Sequence, residues 1–70
     1  MINTIFYLEK NGDERIFKAA IPYILRSGET VLIENELYDI SASSTCVIKD
    51  GFFNHIEIQA EFVGIASNIK

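Results

Sequence analysis

From His55 to Val63 the chain alternates with a period of two. Ile56, Ile58, Ala60 and Phe62 take one side; His55, Glu57, Gln59 and Glu61 take the other. Successive side chains of a strand point to opposite faces, so the pattern predicts a β-strand with one face on a core and one in water. A helical period would scatter the same apolar residues around a cylinder. One half-buried strand is not stable alone. It needs paired neighbours and a layer over its apolar row, so the rest of the chain must supply both.

The remaining segments read as short strands with turn residues between them. Ile2 to Glu9 is a first strand with apolar residues on both faces, which predicts a central position or cover on both sides. Asn11-Gly12-Asp13 follows: Asn-Gly is a hairpin signal because a type I′ turn needs positive φ at both central residues, and with Asp13 a longer loop is the equal alternative. Glu14 to Ala20 forms a second strand. Thr30 to Ile33 and Leu37 to Ile40 form a tight pair around Glu34-Asn35-Glu36, where Asn35 tolerates a left-handed backbone. Thr45 to Lys49 is a fifth strand, and Asp50-Gly51 turns it into the last. Pro22 to Ser27 carries two competing readings: a single helical turn closed by Gly28, which is favoured, or a loop crossing the end of a barrel. A longer helix from Arg15 to Arg26 is disfavoured, because Pro22 would break it in the middle.

Five to six short strands predict a mainly β fold: one small antiparallel barrel or curled sheet, SH3-like or OB-like, over residues 1–66. Gly64 and the segment to Lys70 read as a tail, as one helical turn or disordered, with residues 67–70 outside the domain.

Seventy residues bound the chain to one domain with a marginal core. Cys46 is the sole cysteine, so no internal disulfide forms and a reducing, cytoplasmic setting is expected. Met1 to Leu8 lacks the basic and small-residue flanks of a signal peptide. No apolar run reaches bilayer length, so no membrane association is expected. The net charge of −4, with Lys and Arg dispersed, argues against binding a phosphate backbone.

Candidate chemistry is sparse. Cys46 has a potential base in His55, across the predicted Asp50-Gly51 hairpin. Its neighbours Val47 and Ile48 make a buried, inert thiol the expected state. His55 and Glu57 share a strand face with Glu61, too few ligands for a metal site, and read as a solvated face. Glu34 and Asp39 flank a turn rather than a cleft. No catalytic residue, cofactor or metal is assigned.

Phe52 and Phe53 stand out. Adjacent strand residues face opposite ways, so both are buried only if both faces are covered, and the favoured reading is that both pack into a barrel end or a subunit contact. An exposed aromatic here would be a contact anchor, with His55 and Glu57 as the polar surface beside it. The expected function is a non-enzymatic protein-interaction module binding another protein or its own copies, in the manner of a viral or mobile-element accessory protein or inhibitor. The rival reading is a small nucleic-acid-binding barrel. Aromatics there would stack bases, but only Lys49 lies near Phe52 and Phe53.

Overall fold

The computed structural model describes residues 1–66. Six strands form one sheet: β1 (Ile2–Lys10), β2 (Asp13–Ile21), β3 (Thr30–Ile33), β4 (Glu36–Ile40), β5 (Thr45–Lys49) and β6 (Phe52–Ile65). The order β2-β1-β6-β4-β3 makes β1 and β6 central, and β5 also pairs with β6. Among the described residues there is no α-helix, and the sheet curls into a half-barrel around its core.

Three two-residue turns build the hairpins. Asn11-Gly12, Glu34-Asn35 and Asp50-Gly51 all have positive φ at both positions, the type I′ signature. Four strand pairs are antiparallel, and the fifth, β1 with β6, is parallel. The fold is therefore a mixed rather than a purely antiparallel curled sheet. A parallel pair needs a long connection, and here everything between the first and last strands serves as one.

β6 is longer than the alternation predicted, beginning at Phe52 and ending at Ile65. Gly64, read as the start of a tail, is a strand residue opposite Leu37. Residues 67–70 lie outside the described residues. One edge of β6 is taken by β1. The other is shared in succession: β4 covers Ala60–Ile65 and β5 covers Phe52–Glu57. Ser41 N bridges the gap by donating to Gln59 O at 2.9 Å.

The core lies on the inner face: Phe6, Leu8, Leu25, Ile33, Tyr38, Ile40, Ile56, Ile58 and Ala60. The predicted row of β6 supplies three of these, with Phe62 packed against them. Each large side chain removed from water contributes about 1.5–3 kcal/mol, so this cluster carries the fold. β1 is central as expected. Its second face is only partly covered, with Ile5 and Tyr7 half-buried.

The helical turn expected over Pro22 to Ser27 is absent; the segment is a loop. The two residues that follow it pair with β4 instead. Gly28 N donates to Ile40 O at 2.9 Å, and Ile40 N donates to Glu29 O at 2.8 Å. Leu25 is thereby held in the core as a plug.

Candidate functional site

β1 meets β6 between Thr4–Ile56 and Glu9–Glu61, so residues 52–55 of β6 have no β1 partner. Over that stretch β6 pairs with β5 alone. The result is a two-stranded ribbon at one end of the sheet. Its register shifts between Val47 and Ile48, because Val47 faces His55 while Ile48 faces Phe53, leaving Asn54 as an extra residue.

That shift sorts the side chains. Cys46, Ile48 and Phe53 lie on the inner face, in line with Ile56, which is opposite Cys46. Phe52, His55 and Glu57 lie on the outer face. Phe52 is 77% exposed, Phe53 49% and Ile48 58%. Of the four residues singled out from sequence, three share a face, and Phe53 stands on the other.

Cys46 is exposed, against the expectation of a buried thiol. The inner-face row continues past the end of the core, so Cys46 keeps its apolar strand context without cover. It does not meet His55, because their cross-strand partners put the two side chains on opposite faces.

His55 and Glu57 are half-buried and hydrogen-bonded rather than simply solvated. His55 Nε2 donates to Glu57 Oε2 at 3.0 Å, and Nδ1 lies 2.5 Å from Asn54 Oδ1. The Tyr7 hydroxyl donates to the same Glu57 oxygen at 3.2 Å. The His55 bond, followed by that from Tyr7, holds the Glu57 carboxyl below its ordinary pKa. Burial, followed by the charge of Glu57, pushes the Tyr7 hydroxyl up. This group fixes the outer face at the root of the ribbon.

A second polar cluster closes the opposite end. Lys10 pairs with Glu36 Oε2, and the Tyr38 hydroxyl donates to Glu36 Oε1 at 2.7 Å. Both bonds, that from Lys10 first, lower the Glu36 pKa. The Lys10 ammonium also lies 4.5 Å from the centre of the Phe62 ring, a cation–π contact. Glu34 and Asp39 form no carboxylate pair: Glu34 binds Arg15 at 2.9 Å, and Asp39 accepts from Thr30 Oγ1 at 2.7 Å.

Among the described residues, no three His, Cys, Asp or Glu side chains converge as metal ligands, and no helix is long and apolar enough to cross a membrane. Comparisons with protein-family models, curated proteins and solved structures found no match to this chain.

Sequence reasoning missed Ile48. It has the same composition signal as a core isoleucine, and its exposure follows from where β1 begins.

Proposed function

We propose that this chain is a non-enzymatic protein-interaction module that docks through the β5–β6 ribbon. The supporting observation is exposed apolar side chains beside a strand edge that no strand covers among the described residues: Ile48 lies on β5, which pairs only with β6, and Phe52 and Phe53 lie opposite it on β6. Strand addition supplies main-chain hydrogen bonds, and side chains beside the edge supply selectivity. Aromatics of this kind are frequent anchors of contact surfaces. Elsewhere, Ile16 is exposed between Glu14 and Lys18 on its own strand face, a setting that discourages docking. A role as an accessory protein or inhibitor acting on a host protein fits a small chain that works by contact.

The nucleic-acid reading has less support, since Lys10 and Arg15 are engaged by Glu36 and Glu34. The test is affinity capture from native host lysate with the parent chain and Phe53→Ala as baits. Loss of specific partners from the variant supports docking at the ribbon. Retention of the same partners contradicts it. Binding to single-stranded nucleic acid at low salt, weakening steeply as salt is added, would favour the rival.

A further inference from the structure

Among the described residues, β2, β3 and β5 have an open edge along their length and β6 has one over residues 52–55 beyond the end of its pairing with β1, and these edges are not equivalent. β2 carries Asp13, Glu14, Arg15 and Lys18, charges of the kind that discourage edge pairing. β3 has only four residues, and the turn after it is tied to β2 by Arg15 Nη1 donating to Glu34 Oε1. β3 is uncharged and exposes Leu32 but is held by that tie; among the described residues no ion pair holds β5, and within Thr45–Lys49 the single charge is the terminal Lys49. A strand that is open, uncharged through its middle and flanked by exposed apolar residues is suited to pairing.

We infer that β5 pairs antiparallel with β5 of a second copy of this chain, in the register centred on Val47. The inference rests on the docking reading above and names its partner.

Charge selects the partner. The chain carries a net −4, yet from Ser44 to Asn54 its charges are Lys49 and Asp50, one of each sign. Two copies meet there without the repulsion that an acidic surface would impose, whereas a strongly charged partner finds no complementary field.

Strand length selects the register. Centring on Val47 uses all five residues of β5. It sets Thr45 opposite the second copy's Lys49 and Cys46 opposite the second copy's Ile48, with no like charges facing. The two-fold axis stands perpendicular to the sheet, so both inner faces stay on the same side. Ile56 and Cys46 of one copy then align with the second copy's Ile48 and Phe53 as one row across four strands. Each exposed Ile48–Phe53 pair thereby extends a row that begins at the other copy's buried Ile56. Moving the centre to Cys46 or Ile48, a two-residue slip of one strand on the other, sets Ile48 opposite Ser44 or Cys46 opposite Asp50 and leaves only three of the five β5 residues paired within the strand.

Sedimentation equilibrium of the full chain from micromolar to millimolar concentration tests the pairing. The expected result is a monomer–dimer equilibrium that Ile48→Lys weakens by at least about tenfold. Position 48 is exposed, so far-UV circular dichroism and the melting midpoint of the dilute variant should match the parent. Mild oxidation reads the register. Cys46→Ser combined with Val47→Cys puts two thiols on the axis, with Cα atoms roughly 4.5–5.5 Å apart and within disulfide reach. A covalent dimer is expected. In the parent, the two Cys46 Cα atoms lie roughly 8 Å apart, too far to bridge, and stay reduced. A monomer at millimolar concentration overturns the inference while leaving docking to the capture experiment. A dimer insensitive to Ile48→Lys, or cross-linked through Cys46 rather than position 47, overturns the assigned contact or register.

Discussion

Along β6, Ile56 to Glu61 lie beside β1 and send Ile56, Ile58 and Ala60 into the core, whereas among the described residues Phe52 to Asn54 have only β5 beside them. Two isoleucines make the contrast concrete. Ile58, on the covered part of β6, is 0% exposed, and Ile48, on the ribbon, is 58% exposed. Both belong to strands, and both face the inner side. Their difference comes from neighbouring strands, not from their own hydropathy. The covered part of β6 thus supports the fold, whereas the ribbon leaves Ile48 and Phe52 uncovered, as the other end leaves Leu32 and Val63.

The sharpest way to break this comparison is to truncate both isoleucines. Ile58→Ala removes buried methyl groups and leaves a cavity, and should cost about 2–5 kcal/mol in urea denaturation. Ile48→Ala in dilute protein should stay within about 0.5 kcal/mol of the parent. Equal losses would mean that the ribbon is part of the fold's support.

A smaller effect is expected at the covered end. Tyr38 is buried, and its hydroxyl donates to Glu36. Tyr38→Phe deletes that donor while Lys10 still pairs with the carboxylate, so a loss of about 1 kcal/mol in the same denaturation assay is expected. No change would mean that Lys10 alone satisfies Glu36.

The smallest effect is on pH. Glu36 and Glu57 both have folded pKa values below their ordinary ones, through Lys10 and Tyr38 in one case and His55 and Tyr7 in the other. A lowered folded pKa gives stability that is complete above the unfolded value and is lost as pH falls toward the folded one. The melting midpoint should therefore decline below about pH 4.5, modestly because both carboxylates are partly exposed. Glu36→Gln and Glu57→Gln should each flatten part of that decline. A decline unchanged in both variants would assign it to other carboxylates.

Features set by adjacent residues were legible in the sequence. The turns at Asn11-Gly12 and Asp50-Gly51 and the alternation of β6 each depend on a few neighbours. The curled, mainly β fold followed from their spacing. The parallel β1–β6 pair was not legible, because it joins residues about fifty apart and leaves no local mark. Pro22 and Gly28 fit a helical turn as well as a loop, and pairing with Ile40 decided between them. At the candidate site, adjacent Phe52 and Phe53 signalled that cover on both faces would be needed. The register shift at Asn54, which sends Phe53 to the side of Ile48 and Cys46, depends on cross-strand pairing and carried no sequence signal.

The central claim, that the ribbon is a contact surface while the covered part of β6 holds the fold, is tested most directly by amide NMR spectra of the labelled full chain over a dilution series. Concentration-dependent shifts are expected at Thr45–Lys49 and Phe52–Asn54, with the β1, β4 and core-facing β6 amides unmoved. Spectra that do not change with concentration, or changes centred on β2 or β3, would contradict it.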